Sequence, residues 1–598
     1  MGAKPGRAPQ TAALSGAAAA VAAPRSPRRV SVLIAAFPVC AAIAVYLPAL
    51  ANGFVWDDPF VLQQLRAIRT MHDLFVLPPI IPHFYYRPLI FVSYLADRAV
   101  GGESPFWFHA SVVGWHALNT LLVFLLADAL WRDTRVTAAG AALLFAVYPT
   151  HAESVAWMAG RSDVIACTFI LLTALLFIRG PDARWVPWAG GISYLAGLLA
   201  KELALATLVV IPFIDVLRAG RLRWLRYVPL VAATGAYFLL RHQALGTLTG
   251  GLPSNATAAD VTTNLFAAVG FYVARAVVPM TLNPYIPDVP TNGVYVGLGL
   301  AAVLGFVPAV ILAWRRGYWP IALLLWWFAA TLAPSLGVIV RRSASAPVAD
   351  RYLYVPTVAS CCLLVWCVWH LVPPRARQMA AIAMVGVCAV LGVQATAYSR
   401  TWTDNLTFWS YVARRNPDDG LAQRELGAAL IERGQLGDAE RALQRALNGR
   451  STPEGLAMTY GNLGNLYRRV GRFDDAVTSL ESGLRIRQHP GLLHNLGMTL
   501  MARAQQGQRA ADQTVVLRDV TRARDAFNEA LRVGNAPNAP LAFAQEWDAA
   551  KTHALLGQVL FALGDREGAG AQFETVLRLQ PSGPVADLSR EYLDKLSR

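Results

Sequence analysis

LGAALIERGQLGDAERALQRAL (426–447) opens on Leu-Gly, runs through an apolar stretch to a glycine in RGQ, and then starts a second apolar stripe. Two further stretches keep that order, LGNLYRRVGRFDDAVTSLESGL (463–484) and LGQVLFALGDREGAGAQFETVL (556–577). Each places a second glycine seven residues after the first, then Ala, an apolar residue and a small or β-branched residue at helical spacing. In the last copy these are Gly557, Gly564, Ala569, Phe573 and Val576, followed by Pro581. The spacing predicts two antiparallel helices per unit, with a small residue where they touch and a glycine in the turn. Each unit leaves an apolar face that only the next unit can bury.

That is the tetratricopeptide pattern. A further copy starts at NLG (495–497) and resumes at ARDAFNEAL (523–531). Its Gly497-to-Ala523 gap is 26 residues against 12 in the others, an insertion of 14. The reading is a C-terminal α-solenoid over 421–581 of four units, with 399–420 as a linker before it and 582–598 as a tail.

Upstream the character is different. The chain of 598 residues is 55% hydrophobic and only 15% charged, too apolar for a soluble protein of this size. Apolar segments fall at 31–51, 107–130, 137–150, 162–179, 185–200, 203–218, 225–241, 293–313, 319–338, 353–371 and 377–398. Several are shorter than the roughly 20 residues of a perpendicular span. Arginines cluster in WRDTR (131–135), RGPDAR (179–184), RAGRLRWLR (218–226), AWRRG (313–317) and PPRAR (373–377). With the N-terminus inside, all five links fall on the cytoplasmic side, as the positive-inside bias requires. The expectation is a polytopic α-helical protein of about eleven spans over 31–398, preceded by a flexible cytoplasmic segment, 1–30. The segment 264–280 would lie along the outer interface with Arg275 snorkelling.

The net charge of +15 belongs with cytoplasmic loops and anionic lipid, and no nucleic-acid motif accompanies it. Six cysteines sit inside apolar runs and read as small buried hydrophobes rather than a disulfide framework. Phosphate-binding GxG loops are absent, GGLP (250–253) reads as a turn, and Asn255-Ala-Thr is a sequon with meaning only in a glycosylating compartment.

The outer links carry the unusual polar residues. The first holds NGFVWDDPF (52–60), with Asp57 and Asp58 adjacent, and then YYRPLIFVSYL (85–95), with Arg87 ahead of an interfacial helix after Pro88. The second, YPTHAESVAWMAGRSD (148–163), holds His151, Glu153, Arg161 and Asp163. The third holds Lys201 and Glu202, and the fourth, RRSASAPVADRYLYVP (341–356), holds Asp350 and Arg351. A lone Lys–Glu or Arg–Asp is more often structural, but ionisable groups from four links at one membrane level make a functional hypothesis. A carboxylate near a hydroxyl can take its proton, and arginines can offset charge growing on a phosphate leaving group. Apolar spans alongside would accept a long isoprenoid tail. Transfer of a sugar from a lipid-phosphate carrier fits these parts, and so does transport of an anionic solute.

FVWDDPF, YRPLIFVSY, SPFWFHASVVGWHALNTLL, LLFAVYPTHAESVAWMAGRSDVI, KELALATLVVIPFIDVL and DRYLYVP, followed by tetratricopeptide repeats, resemble the transmembrane and tetratricopeptide-repeat O-mannosyltransferases over about residues 31–581. The resemblance implies the membrane glycosyltransferase fold called GT-C, a polyprenyl-phosphate-linked sugar donor, mannose foremost, Ser or Thr hydroxyls of proteins as acceptors, and inversion at the sugar carbon. It places Asp57, or its neighbour Asp58, as the general base. The family's His-x-Glu falls on His151 and Glu153 and its Gly-Arg-x-Asp on Arg161 and Asp163, for positioning of acceptor or donor. Lys201–Glu202 matches its Lys-Glu, facing the donor phosphate, and Arg351 matches the arginine that contacts it; Arg87 is read as shaping the site.

Asp350 departs from the family's glutamate: it keeps the charge and shortens the reach. The Ala- and Arg-rich composition points to a bacterial chain, with an undecaprenyl-type carrier, the inner membrane as the host bilayer, and the active site and repeats on the periplasmic side. The repeats would hold acceptor polypeptide in their groove. A divalent cation, Mg2+ or Mn2+, is open, with Asp57, Asp58 and Glu153 as hard oxygen ligands. Two other readings stand beside this one: a transferase of the same fold acting on a lipid or envelope glycan, and a non-catalytic transporter or assembly scaffold.

Overall fold

The structure, a computed structural model, describes residues 28–76, 85–131, 135–246, 257–341, 346–509, 513–536, 539 and 547–598. The sequon at Asn255, the GGLP turn, Arg342 and most of the N-terminal segment lie outside the described residues.

The apolar half folds as α1 (Arg28–Tyr46), α2 (Asp58–Ala67), α3 (Pro88–Gly101), α4 (Pro105–Leu130), α5 (Arg135–Ala146), α6 (Ala152–Ala156), α7 (Arg161–Arg179), α8 (Val186–Ala200), α9 (Thr207–Ala219) and α10 (Val228–Leu245). It continues with α11 (Ala258–Val277), α12 (Gly293–Arg315), α13 (Trp319–Arg341), α14 (Pro356–Leu371) and α15 (Arg377–Ser399). Every apolar segment of the sequence is helical. Six helices among the described residues are long and apolar enough to cross a membrane: Val32–Ala51, Pro105–Leu130, Met158–Arg179, Gly293–Arg315, Trp319–Val340 and Pro374–Trp402. Arg135–Ala146, Val186–Ala200 and Pro356–Leu371 are apolar and shorter. Only 11% of the apolar window of Gly293–Arg315 is buried inside the protein, an exposed greasy surface that water does not tolerate and a bilayer does. This is a membrane protein.

One core runs through α1, α4, α5, α7, α8, α10 and α14, with α4 and α7 the most enclosed of the six long helices. Gly270 of α11 and Gly299 of α12 meet backbone to backbone, so that a Cβ on either would strike a carbonyl of the other helix. Small residues at such a crossing are what lets two helices approach closely. Arg275 does not snorkel. Its side chain is buried, pairs with Asp350 at 3.8 Å, and donates to the carbonyls of Met280 and Thr281. An inward carboxylate and two loop carbonyls just past α11 satisfy the guanidinium better than a reach to the interface.

The stretch expected as a linker is a helix, α16 (Asn405–Arg415), whose Phe408, Trp409 and Val412 form a second core with Val55, Trp157, Tyr285 and Trp402. Its strong apolar stripe needs a partner, and the Val55, Trp157 and Tyr285 side of the membrane half supplies one. The repeats follow as four helix pairs: α17 (Gly420–Glu432) with α18 (Leu436–Asn448), α19 (Pro453–Arg469) with α20 (Phe473–Ile486), α21 (Pro490–Arg509) with α22 (Gln513–Gly534), and α23 (Ala549–Ala562) with α24 (Arg566–Leu579). Gly427, Gly464, Gly497 and Gly557 lie against Leu443, Leu480, Phe527 and Phe573, the close positions read from sequence. The turn glycines Gly434, Gly471 and Gly564 have φ of 78°, 78° and 83°, where only glycine is unstrained. Much of the insertion in the third pair lengthens its two helices. The supposed tail is a further helix, α25 (Pro584–Ser597), whose Tyr592 stacks on Phe573 and closes the last repeat.

Candidate active site

NGFVWDDPF folds as a turn between α1 and α2, anchored at almost every residue. The Asn52 side chain donates to the carbonyls of Ala156 and Ser399, and the Gly53 N–H donates to Thr403 O at 2.8 Å. Trp56 adopts φ 55°, a genuine outlier for a bulky residue. Its N–H donates to Asn405 Oδ1 at 2.9 Å, and its ring stacks on Trp157 and abuts Tyr285, Phe408 and Trp409.

This turn sends its two acids in different directions. Asp58 is fully buried: Oδ2 accepts from Val55 N and Oδ1 from Ala159 N, both at 3.0 Å. Burial pushes its pKa up to about 8 against the pull of those two amides. Asp57 faces a cavity of about 530 Å³ and, among the described residues, its carboxylate has no ion-pair or hydrogen-bond partner. It stays accessible to solvent through the cavity mouth, yet is flanked by protein. The lost bulk solvation raises its pKa, with Arg351 pulling it down and Glu425 adding to the rise.

Arg87, Asp163, Lys201, Glu202 and Arg351 line the same cavity. Lys201 Nζ pairs with Asp163 Oδ2 at 2.6 Å, while Asp163 Oδ1 is buried without a partner. Burial pulls the Lys201 pKa down, the Asp163 carboxylate opposing it. Glu202 bridges Arg87 at 2.9 Å and Arg241 at 3.0 Å; burial pushes its pKa up, but the guanidiniums outweigh it and hold the carboxyl below its usual range. Arg351 lies over the rings of Trp157 and Tyr352 and pairs with Glu153, which also accepts the Arg351 N–H at 2.9 Å. The cations are therefore held in place before any ligand arrives. Phe60, Val61, Ile90, Phe91, Leu203 and Val338 form the apolar side.

Five of the residues picked out in the sequence stand behind this cavity rather than on it. Asp58 staples the turn to the 157–160 segment. Glu153, fully buried, holds Arg351, and burial pushes its pKa up to about 7 despite that partner. His151 is a core histidine, 2.7 Å from Thr357 Oγ1 and packed among Phe145, Tyr148 and Tyr354. Arg161 is sealed in by Asp97 at 2.5 Å, by Phe108 O at 2.8 Å and by the Tyr94 ring. Asp350 turns away to Arg275 and the Asn283 amide, where a shorter carboxylate suffices.

Asp57, Asp58 and Glu153, the candidate ligands of a divalent cation, differ in what their oxygens already hold. Asp58 spends both oxygens on amides and Glu153 both on Arg351, and no group of three or more His, Cys, Asp or Glu able to hold a metal occurs among the described residues.

Comparison with known proteins agrees with this architecture. Residues 418–489 and 550–582 match models of the tetratricopeptide repeat. Protein O-mannosyl-transferase TMTC2 of Mus musculus is 34% identical over 212 residues, 32% of this chain and 24% of that protein. Protein O-mannosyl-transferase Tmtc1 of Drosophila melanogaster is 34% identical over 194 residues, 30% of this chain and 22% of that protein. Its relatives are protein O-mannosyl-transferases. The match spans about a quarter of the mouse protein's length. Protein O-mannosyl-transferase F38B6.6 of Caenorhabditis elegans aligns more widely, over 68% of this chain and 61% of that protein at 22% identity.

Beside those relatives, several residues of the cavity had escaped the sequence reading. Tyr85 and Tyr352 put rings against Arg87, Lys201 and Arg351. Both lie inside motifs read from the sequence, YYRPLIFVSYL and DRYLYVP, where a tyrosine within two residues of an arginine was the available signal. Arg241 and Asp97 stand behind the cavity beside other polar residues, His242 and Gln243 in α10 and Arg98 in α3, and nothing local announced their distant partners Glu202 and Arg161.

Proposed function

We propose that this chain is a GT-C-type membrane glycosyltransferase of about eleven spans over 31–398, moving a sugar, mannose foremost, from a polyprenyl-phosphate carrier to Ser or Thr hydroxyls of extracytoplasmic proteins. The observation that carries the reading is a carboxylate, Asp57, with no partner among the described residues, facing the same cavity as three pre-paired cations, Arg87, Lys201 and Arg351. The apolar side of the cavity suits the first isoprene units. The acceptor oxygen attacks the anomeric carbon from the face opposite the phosphate, and the carbon–oxygen bond to phosphate breaks. The acceptor proton passes to Asp57, and the electron pair leaves on the phosphate oxygen, where Arg351 and Lys201 offset the charge. The products are an inverted glycoside and polyprenyl phosphate. Glu153, Glu202 and Asp163 act through the cations they hold.

In this reading the N-terminus is cytoplasmic, the cavity and the repeats are extracytoplasmic, and the repeats (421–581) receive acceptor protein. The experiment is transfer from polyprenyl-phosphate-mannose to Ser/Thr peptides by purified protein in lipid. Asp57→Asn should lower the transfer rate by about 10²–10⁴-fold, the usual contribution of a general base. Full activity in that variant refutes Asp57 as the base.

A further inference from the structure

A second cavity, about 810 Å³, lies between the Tyr285–Asp288 segment of the membrane half and the first helices of two consecutive repeats, α17 and α19. One wall carries Arg424, Glu425 and Ala428 of α17 with Met458 and Asn462 of α19. The opposite wall is extended chain: Ile286 makes an antiparallel bridge to Val348, just ahead of Asp350 and Arg351. That bridge ties the cleft's wall to the segment that carries the phosphate-side arginine.

Its inner end stands one aromatic ring from the catalytic turn. Tyr285 lines the cleft and sets its ring edge against Trp56, with centroids 6.3 Å apart, and the next residue is Asp57. Glu425, on the repeat wall, lies near enough to Asp57 to raise its pKa. Across the mouth, Asp288 and Arg450 pair at 2.5 Å, but both are about two-thirds exposed. A surface pair of this kind adds little stability and parts easily.

We infer that this cleft is the acceptor subsite, and that it takes an extended, hydroxyl-bearing polypeptide segment, drawn in between the first two repeats and the Tyr285–Asp288 segment and delivered to Asp57. This rests on the transferase reading above. The lining chooses the occupant. A polypeptide presents a donor and an acceptor at each residue, and the Asn462 amide, the Arg424–Glu425 pair and the Asp288–Arg450 pair offer both kinds of partner. The lipid carrier has its own apolar wall in the other cavity. The first repeats thus belong to the site itself, which explains why α16 is packed against the membrane half instead of hanging free.

The test uses full-length protein in lipid nanodiscs, polyprenyl-phosphate-mannose, and a library of random-sequence decapeptides with Ser or Thr at one fixed position. Two variants probe the cleft: Ala428→Trp, which fills it, and Asn462→Ala, which removes an amide without adding bulk and so keeps the test informative if the first misfolds. Two quantities are read: the peptide concentration for half-maximal transfer, and the ratio of peptide transfer to slow donor hydrolysis by water. The expected result is at least a tenfold rise in the first and a tenfold fall in the second for Ala428→Trp, with a smaller change of the same sign for Asn462→Ala. Unchanged values in both variants overturn the cleft as the acceptor subsite while leaving the transferase standing. Donor hydrolysis by the wild type without transfer to any peptide, or transfer to a glycan acceptor in its place, overturns the polypeptide as occupant. Neither hydrolysis nor transfer, with Asp57→Asn indistinguishable from wild type, sinks the transferase reading first and the cleft with it.

Discussion

Glu153→Gln separates the two jobs of the buried pair behind the cavity. Glu153 is fully buried, and a rise of its pKa from 4.5 to about 7 corresponds to about 3 kcal/mol of preference for the protonated side chain. The folded state binds that proton more tightly than the unfolded chain. This contribution to stability is therefore fully present below pH 4.5 and lost as pH rises through about 7. Glutamine never ionises, so the variant should lack that loss. Against this, the Arg351 N–H and its guanidinium each donate to one oxygen of Glu153, and glutamine sets an NH2 group against one of them. That mismatch costs about 1.5–3 kcal/mol.

Protonated Glu153 sets an O–H against the same donor, so wild type and variant share that cost at pH 5 and should melt alike there, and the variant should be the more stable at pH 8, where only the wild type is ionised. The buried free cysteines Cys167, Cys361, Cys362 and Cys388 make the assay direct, because a thiol-reactive dye reports their exposure on heating. Arg351 also loses its anchor, so KM for the lipid-phosphate donor should rise more than kcat falls. A melting difference that is the same at pH 5 and pH 8 would falsify the claim that burial governs Glu153, and an unchanged donor KM would remove its positioning role.

Asp58→Ala leaves the amides of Val55 and Ala159 without acceptors, at about 1–3 kcal/mol each, and should lower the melting temperature more than Asp58→Asn, which keeps one acceptor. Because the base works deprotonated and the Asp57 pKa is raised, the acid limb of the rate profile should lie above the ordinary carboxylate value of 3.8. Glu425→Gln should move that limb toward lower pH by removing a neighbouring negative charge; no movement would show that Glu425 is not felt at Asp57. Gly270→Ala drives a Cβ into the Tyr295 carbonyl and must push α11 and α12 apart; an overpacked crossing costs about 1–3 kcal/mol, read as a lower melting temperature.

The Trp56 turn shows where the site lay beyond the reach of sequence. Adjacent aspartates are chemically equivalent on the page, and the choice between them depends on a left-handed backbone at Trp56, an acceptor from Asn405, 349 residues away, and the amide of Ala159. The same holds for the second link. GRSD and HAE were legible as unusual polar clusters, but only packing sends Asp163 to the cavity and seals Arg161, Glu153 and His151 behind it. Arg275 was misjudged because its partner Asp350 lies 75 residues further along the chain and a hydrophobic stripe says nothing of such distant pairs.

Periodic features, by contrast, are local, and local features survive in one dimension. The repeat glycines, the helix pairs they separate and the apolar helices upstream follow from steric limits at φ near 80°, from the 3.6-residue helical period, and from the cost of leaving greasy surface in water. All of these the amino-acid order determines by itself. Which acid is left without a partner, which cations share its cavity, and how closely the first repeat approaches it were decided only by tertiary structure. Those outcomes depend on burial and on partners tens to hundreds of residues away, and neither quantity is written in any short stretch of chain.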